Sequence, residues 1–441
     1  MQPSSTQLQH ASLYVLLFSL YWAQGLPVGF MTHALPVILR YEGVSLAHIG
    51  GFGVLMLPWA IKALWAPWVD RYGSNRYGHY RSWILVTQLS SVLLLTALAF
   101  FPIAQLYQTH LLLVFFIALL CLNSLGATQD IATDALAVHS LCSDNMHWGN
   151  MLQVIGSRLG FIVGGGVILW MLDWLNWQWS FLLLAALVLF NSIPILRYKE
   201  KEHQNKTQLR QKPNSPIANT TLFYAIKAYW AYFRHHPILW AWFWVLLSMK
   251  VTDGLSGPIL KPLLVDLGLS LSQIGIYITM FGAAAALVGA LLGSLGVQYL
   301  GRRWALLLFS VLKLASLAAF VYLAACYEQK QHIAPLWIYI LNALEDLFSA
   351  MLLVVVLTLV MRYSRKQYAA TDFSLQVSIM ALVSGALYSL SGMLGDLLGY
   401  QDYLTLISLL GIVLLWPIYN WFAQTGKTGR KHGQEKTDWK K

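Results

Sequence analysis

The run THLLLVFFIALLCLNSLGATQDIATDALAV, residues 109–138, is apolar along nearly its whole length. About 20 such residues are enough for a helix to cross a lipid bilayer, so this run predicts a transmembrane helix. Asp130 and Asp134 stand within it, four residues apart and therefore on one face of the helix. A charged side chain at the bilayer centre costs about 2.5–3.5 kcal/mol on insertion scales, so the two acids indicate a functional site inside the membrane.

The rest of the chain has the same apolar character. Of its 441 residues, 58% are hydrophobic and 11% are charged, whereas about 25% of the residues of a soluble domain are charged. This composition excludes a water-soluble globule and a disordered chain. We predict an all-α membrane protein, because a backbone exposed to lipid must satisfy its own hydrogen bonds. Its twelve predicted transmembrane helices cover residues 12–37, 47–68, 82–104, 109–138, 148–172, 177–197, 237–262, 271–297, 303–326, 333–361, 368–396 and 401–424.

The basic residues predict the orientation. Most of the 29 Lys and Arg residues lie in loops on one side of the predicted membrane, and the positive-inside rule places that side, with both termini, in the cytoplasm. The same rule accounts for the net charge of +11, so no nucleic-acid partner is needed. Cys121, Cys142 and Cys326 are far apart, which excludes a disulfide framework and a metal motif. We expect no cofactor and no metal.

The chain divides into two predicted six-helix halves, residues 1–197 and 237–425, joined by a cytoplasmic linker, 198–236, and followed by a basic tail, 426–441. The linker ends in an amphipathic stretch that either lies on the membrane surface or extends the seventh helix. Short repeats relate the halves: EGVSLAHIG (42–50) resembles LGLSLSQIG (267–275), and MLQV (151–154) resembles SLQV (374–377). Parallel halves place a substrate site between them near the membrane midplane.

Two loops carry a recognisable motif. APWVDRYGSNRYGHYR (66–81) and GVQYLGRRW (296–304) resemble the G-x-x-x-D-R-x-G-R-R signature of the major facilitator superfamily, although the second loop lacks the acidic residue. The acid of the first loop can bond a helix N-terminus and pair with a cation, which would latch the cytoplasmic side shut. Alternatively, the basic residues only set topology. The candidate gating residues are Asp70, Arg71, Arg302 and Arg303.

The first half shows a narrower resemblance. YWAQGLPVGFMTHALPVILRYEGVSLAHIG (21–50) and ATQDIATDALAV (127–138) resemble the AmpG-like branch of the superfamily, which includes muropeptide permeases, acetyl-CoA transporters and siderophore importers of the RhtX/FptX type. WAPWVDRYGSNRYGHYRSWI (65–84) and NMLQVIGSRLGFIVGGG (150–166) are most similar to the siderophore importers. The resemblance covers residues 12–170 well and the second half only in outline.

The resemblance implies a function. We expect a monomeric, proton-driven transporter that imports a ferric siderophore across the bacterial inner membrane by alternating access. A muropeptide permease of cell-wall recycling and a drug or metabolite efflux transporter are the alternatives, with a small molecule, protons and the lipid bilayer as partners in each case. The rival classes are a membrane enzyme and a channel. We do not expect an enzyme, because no P-loop or catalytic motif is present and the charged residues are spread over several helices.

Ionisable and aromatic residues inside the predicted helices are the remaining site candidates. Asp130 either carries a proton or contacts substrate, or it forms a fixed salt bridge, for which Arg158 is the expected partner. Lys250 and Asp253, three residues apart, either bind substrate or neutralise each other. The proton-coupling candidates are Asp130, Asp134, Asp253 and Glu345. The substrate-binding candidates are Arg158, Lys250, Gln129, Tyr21, Trp22, Phe30 and Trp244.

Other intramembrane residues receive structural interpretations. Lys62 is expected either to belong to the cytoplasmic latch or to extend its ammonium group to the membrane boundary. Lys313 is expected to face lipid and to reach the boundary in the same way, and His33 is expected to be a satisfied polar residue rather than a ligand. Glycines spaced by four in the fifth, eighth and eleventh helices predict close helix packing, either static or sliding during transport.

Overall fold

The computed structural model describes residues 5–35, 38–39, 52–74, 76–106, 108–168, 171, 176–200, 230–269, 273–331 and 333–438. All regular elements in these ranges are helical apart from one isolated bridge between Ser74 and Gly78. The α-helices are α1 (Ser5–Gly29), α2 (Leu57–Ile61), α3 (Ala66–Arg71), α4 (His79–Ala99), α5 (Thr109–Ser140), α6 (Met146–Phe161), α7 (Trp177–Phe190), α8 (Ile193–Arg197), α9 (Pro237–Met249), α10 (Val251–Asp266), α11 (Phe281–Glu328), α12 (Pro335–Arg362), α13 (Ala369–Leu398) and α14 (Tyr400–Asp438).

Nine helices in the described ranges are long and apolar enough to cross a membrane. This number is smaller than the predicted twelve for two reasons. The second and fifth predicted helices include residues outside the described ranges, and α11 spans both the eighth and the ninth predicted helices. Gly301 lies at the point where these two meet, with a φ of 78°, and this backbone angle kinks the chain between two helical directions. A residue with a Cβ rarely adopts such an angle.

The chain forms two compact units. The first comprises Met1–Leu222 together with Ser364–Ser378, and the second comprises Phe223–Tyr363 together with Ile379–Lys441. The segment 364–378 therefore belongs to the first unit, although the predicted halves assign it to the second half. Most of the predicted linker, the repeat at 42–50 and the side chain of His33 lie outside the described residues. Of the linker's amphipathic stretch, residues 230–235 are helical.

Aliphatic and aromatic side chains of α1, α4, α5 and α7 form the apolar core of the first unit. Its centre is aromatic: Phe30 meets Phe181 edge-on at 4.9 Å between ring centroids, and Trp177 lies 4.1 Å from Phe181. Edge-to-face rings place the positive edge of one ring against the negative face of the other. Phe30 begins a short π-helix, Phe30–Ala34, that continues α1, and a second π-helix, Ile162–Val167, continues α6.

Glycines bring α1 and α6 into backbone contact. A Cβ atom built on Gly160 would lie 2.6 Å from the Cα of Gly25, and one built on Gly25 would lie 2.6 Å from the carbonyl oxygen of Ser157. Gly156 is also close, since its Cβ would lie 3.1 Å from the backbone nitrogen of Trp22. Membrane helices lack a hydrophobic force that drives them together, so close van der Waals packing of this kind supplies much of their association. The predicted close packing of the fifth helix is confirmed.

We expect Gly160→Ala to destabilise the first unit by about 1–3 kcal/mol, because the added methyl group must push two backbones apart. Thermal unfolding of the purified protein in detergent measures this loss. Gly166→Ala is the matched control, because nothing lies within 4 Å of a Cβ atom at that position of the same glycine run. Equal unfolding temperatures for the two variants would contradict the proposed role of the contact.

In the second unit, α11 packs against α12 in the same manner. A Cβ atom on Gly293 would lie 2.8 Å from the carbonyl oxygen of Met351. The apolar core joins side chains of α10, α11, α12 and α14, with Phe320, Leu323 and Leu404 fully buried. Tyr403 donates a hydrogen bond to the carbonyl oxygen of Leu255 at 3.0 Å and so ties α14 to α10.

Candidate functional site

A buried cluster of charged and polar side chains lies inside the first unit. Asp130 and Asp134 project from α5 towards Lys62, which sits in the short 3-10 turn Lys62–Leu64. The Lys62 side chain is only 2% exposed, and those of Asp130 and Asp134 are 8% and 1% exposed. Burial this deep is rare for ionised side chains unless they are paired.

Lys62 is the counter-ion of Asp130. Its Nζ donates a hydrogen bond to Oδ2 of Asp130 and lies 3.9 Å from Oδ2 of Asp134. The expected partner of Asp130, Arg158, makes no ion pair with it, so that prediction is wrong. The expectation that Lys62 reaches the membrane boundary is also wrong, because its ammonium group has an acid to neutralise inside the protein.

Uncharged donors complete the cluster. The hydroxyl of Tyr21 donates to Oδ1 of Asp134 at 2.8 Å, and Nε2 of Gln153 donates to the same oxygen at 3.1 Å. Gln24 donates to Oδ1 of Asp130 at 3.0 Å in the amide orientation that satisfies both of its polar atoms. The cluster thus joins α1, α5, α6 and the 3-10 turn around two carboxyl groups.

The aromatic substrate-binding candidates differ in how far their rings are exposed. Phe30 is fully buried between Trp177 and Phe181, so its ring is not available for stacking on a substrate, and that prediction is wrong for this conformation. Tyr21 is 1% exposed and is engaged by Asp134, so it is placed to position the acid rather than to contact a ligand directly. Trp244 is 48% exposed on α9 and packs on Trp240.

Three other candidates in the first unit have unused polar groups. Trp22 is half-buried and Gln129 is 3% exposed, and the indole Nε1 of Trp22 and the amide Nε2 of Gln129 have no hydrogen-bond partner among the described residues. Arg158 is half-buried on α6, and its side chain makes no hydrogen bond or ion pair within the described part of the chain. Arg158 lies two residues from both Gly156 and Gly160, so it points away from the face that contacts α1.

A second charged network occupies the second unit. Lys250 binds Oδ2 of Asp253 at 2.7 Å, as their spacing predicts, while Lys313 binds Glu345 and lies 3.7 Å from Oδ1 of Asp253. Ser349 joins the network through hydrogen bonds with Lys313 and Glu345. The expectation that Lys313 faces lipid is wrong, because α11 directs it towards acids of α10 and α12.

This network borders a small cavity of about 40 Å³. Ser248, Thr252, Ser256 and Ser310 contribute hydroxyl groups to its wall. A space of roughly 10–15 Å³ on this measure accommodates one water molecule, so the cavity is large enough for a few. The charged side chains that line it, Asp253, Lys313 and Glu345, are 29%, 15% and 17% exposed, in contrast to the deeply buried cluster of the first unit.

The gating candidates make local contacts in both units. Asp70 accepts hydrogen bonds from the backbone nitrogens of Ala370 at 3.0 Å and Thr371 at 2.8 Å, as well as from the Thr371 hydroxyl at 2.6 Å. These nitrogens lie in the first turn of α13, so the predicted bond between Asp70 and a helix N-terminus is present. No cation pairs with Asp70 among the described residues, which departs from the prediction.

The three arginine candidates for gating differ in exposure and in their contacts. Arg71 is exposed beside the ring of Tyr72, and Arg302 is half-buried. Arg303 donates to the carbonyl oxygen of Phe422 at 2.8 Å and lies 4.5 Å from the centre of its ring. The latch function of these residues stays a prediction.

We expect Asp70 to make stability depend on pH. Burial raises the pKa of Asp70 from its ordinary value of 3.8 to about 6, although hydrogen bonds from Thr371, Ala370 and Tyr80 oppose the shift. The folded protein thus binds this proton more tightly than the unfolded chain does, so stability falls as pH rises from about 4 to 6. The difference in unfolding temperature between the native protein and Asp70→Asn should grow in favour of the native protein on acidification through this window. A difference that shrinks would contradict the assignment.

Family models match both the first and the second half of the chain, and relatives match most of its length. The model of acetyl-coenzyme A transporter 1 matches residues 13–174, and the model of the major facilitator superfamily matches residues 248–440. The anhydromuropeptide permease of Escherichia coli K12 is 29% identical over 374 residues, which cover 83% of this chain and 71% of that protein. A transporter of Rickettsia felis named AmpG 4 is 24% identical over 91% of this chain and 94% of its own length.

Solved structures share the fold. The outward conformation of FucP, a major facilitator superfamily transporter, has a TM-score of 0.65 at 14% identity and covers 92% of this chain and 98% of its own. An outward-facing bacterial homologue of the iron transporter ferroportin has a TM-score of 0.63 at 15% identity and covers 94% and 99%. The chain is therefore an all-helical, multi-pass membrane protein with the major facilitator fold, as predicted. Over most of its length it is similar to transporters named AmpG and anhydromuropeptide permease.

The comparisons correct the expected function. Relatives that match over most of the chain carry the names AmpG and anhydromuropeptide permease, so the import of a ferric siderophore is the wrong choice among the predicted functions. The resemblance to the siderophore-importer group rested on short segments around residues 65–84 and 150–166. The likeness to a ferroportin homologue is a likeness of fold at 15% identity and says nothing about iron in this chain.

The sequence predicted the latch or the membrane boundary for Lys62 and a lipid-facing position for Lys313, and it did not indicate Gln153 as a site residue. A usable signal existed for the lysines: each lies inside an apolar helix whose neighbouring helices hold buried acids. A lysine at such a position neutralises charge more often than it faces lipid. Gln153 had no comparable signal, because its role depends on which face of α6 meets α5.

Proposed function

We propose that the protein is a proton-driven permease for anhydromuropeptides, or for closely similar sugar–peptide ligands, in the bacterial inner membrane. Similarity to the anhydromuropeptide permease of Escherichia coli along 83% of the chain carries this proposal. The physical site supports it through Arg158, a half-buried cation without a partner among the described residues.

Arg158 fits an acidic ligand. A muropeptide bears carboxylate groups on its peptide, and a guanidinium group binds a carboxylate through two parallel hydrogen bonds. A half-buried guanidinium without an internal acid has lost part of its solvation, which such a ligand can restore. We assign Arg158 to the ligand carboxylate.

Trp22 and Gln129 are the further binding candidates of the first unit. The unpaired indole nitrogen of Trp22 and the unpaired amide nitrogen of Gln129 are hydrogen-bond donors that a ligand rich in hydroxyl and carbonyl groups can satisfy. The half-buried indole also offers an apolar face to a sugar ring. We assign both to the same class of ligand as Arg158. Lys250 and Trp244 remain candidates in the second unit.

Ligand-dependent thermal unfolding of the purified protein tests the ligand class. The panel contains an anhydromuropeptide, its sugar without the peptide, its peptide without the sugar, and acetyl-coenzyme A, since the family match at residues 13–174 also names that compound. A ligand at 100 times its dissociation constant stabilises the folded state by about 2.7 kcal/mol. We expect this stabilisation only from the complete anhydromuropeptide. Stabilisation by acetyl-coenzyme A alone would overturn the proposal.

Uptake into proteoliposomes tests direction and energy source. With a labelled anhydromuropeptide outside and an inward proton gradient imposed, we expect accumulation that a protonophore abolishes. Accumulation that persists without a proton gradient would contradict proton coupling. Movement only against the direction of the gradient would support the efflux alternative.

A further inference from the structure

The cluster of the first unit has an unbalanced charge. It contains two carboxyl groups, Asp130 and Asp134, and one ammonium group, Lys62, with all three side chains less than a tenth exposed. Tyr21, Gln24 and Gln153 complete the cluster, and none of them carries a charge at neutral pH. If both acids were ionised, the cluster would hold a net charge of −1 in a site closed to solvent.

The network of the second unit is balanced by comparison. Two acids, Asp253 and Glu345, contact two lysines, Lys250 and Lys313, so all four can remain ionised. Asp253, Lys313 and Glu345 also border the hydroxyl-lined cavity, which offers space for solvation. Among the four side chains of this network acids and lysines are equal in number, whereas the cluster of the first unit has one acid more than it has lysines.

Hydrogen bonding indicates which acid of the first unit takes that proton. Both carboxyl oxygens of Asp130 are occupied, Oδ2 by Lys62 and Oδ1 by Gln24. In Asp134, Oδ1 accepts from Tyr21 and Gln153, but Oδ2 is buried without a hydrogen-bond partner among the described residues. An ionised carboxylate in an apolar interior carries an idealised cost of tens of kcal/mol, and such a group binds a proton instead.

We propose that Asp134 holds a proton on Oδ2 in this conformation and is the group that takes up and releases the transported proton. The proposal rests on the proton-driven function above and selects one of its four candidate acids. Lys62, 3.9 Å from Oδ2 of Asp134, is the charge that can turn from Asp130 to Asp134 when the proton leaves.

Each group that faces Asp134 has a defined part in this exchange. Lys62 approaches from the 3-10 turn, Tyr21 from α1, Gln153 from α6 and Asp130 from α5 itself. The hydroxyl of Tyr21 and the amide of Gln153 hold the Oδ1 side of the carboxyl group in place. Loss of the proton would leave two ionised acids beside one lysine, so deprotonation favours a conformation that admits water or a further cation. The negative charge that proton release leaves on Asp134 is what couples proton release to a structural change.

Infrared spectroscopy of the ligand-free protein tests the site directly. A protonated carboxylic acid has a C=O stretching band distinct from that of a carboxylate. We expect this band in the native protein at neutral pH and its loss in Asp134→Asn, whereas Glu345→Gln should retain it. An unchanged band in Asp134→Asn would overturn the proposal. Because no ligand is present, this result does not depend on the class of substrate.

Transport by the same variant provides the second measurement. Asp134→Asn imitates the protonated side chain, so it should fold, bind ligand and exchange labelled for unlabelled ligand across the membrane. It should lose more than tenfold in accumulation driven by a proton gradient. Accumulation equal to that of the native protein would contradict the assignment of Asp134. If Asp134→Asn lost both the infrared band and ligand exchange, Asp134 would still be the protonated acid. The claim that ligand can move across the membrane without a change in the protonation of Asp134 would then be contradicted.

Discussion

Replacement of Arg158 by Gln is expected to weaken ligand binding by a factor of about 30 to several thousand. This range corresponds to the loss of about 2–5 kcal/mol when one partner of a buried charged hydrogen-bonded pair is removed. The variant should fold normally, because the Arg158 side chain makes no hydrogen bond or ion pair within the described residues. Ligand titration followed by thermal unfolding measures both quantities in one experiment.

Two control variants sharpen the Arg158 result. Arg197→Gln removes an exposed arginine of the same unit and should leave affinity unchanged. Arg158→Lys keeps the charge but loses the two-pronged hydrogen bond, so it should recover only part of the affinity. Full affinity in Arg158→Gln would show that the guanidinium does not contact the ligand. The ligand carboxylate would then need a different cation, such as Lys250.

Replacement of Lys62 by Met is expected to destabilise the first unit by about 3–5 kcal/mol. That is the usual loss when one member of a buried ion pair is removed and the other charge is left uncompensated. The affected charge is Asp130, whose Oδ2 would lose its donor. The amount of folded protein in the membrane and its unfolding temperature in detergent should both fall.

A rescue variant separates charge from packing in the Lys62 result. Asp130→Asn combined with Lys62→Met removes both members of the pair and should restore most of the stability, because no unpaired charge then remains at Asp130. Lys199→Met, at an exposed position of the same unit, should have little effect. A double variant as unstable as Lys62→Met alone would mean that the lysine stem supports the fold by packing, and that its charge is secondary.

Several features of the fold could be predicted from the sequence. The apolar runs predicted the membrane helices, and the glycine spacing in residues 156–164 predicted the close contact of α6 that the structure shows with Gly25. The motif around Asp70 predicted a bond to a helix N-terminus, which is present at Thr371. Each of these features depends on residues close together in the sequence. In a helix, residue spacing alone determines which side chains share a face and which residues lie at its end.

The candidate site was less predictable. Lys250 and Asp253 are three residues apart on adjoining helical turns, and their contact could be predicted from spacing alone. Lys62 and Asp130 are separated by 68 positions, and Lys313 and Glu345 by 32, so spacing says nothing about their approach. Phe30 resembled a ligand-facing aromatic residue, but in the π-helix that continues α1 its ring packs against Phe181 of α7 and is buried.

The sequence by itself determined that this protein lies in a membrane, that its chain is helical and that acids stand inside its helices. Lipid excludes unpaired backbone groups and penalises charge, so composition alone decides these properties. Only the tertiary structure decided which charges meet and, among the described residues, that Oδ2 of Asp134 has no hydrogen-bond partner and that the Arg158 side chain forms no ion pair. Those depend on the rotation and neighbours of each helix, set by the packing of many side chains and glycine contacts across distant parts of the chain.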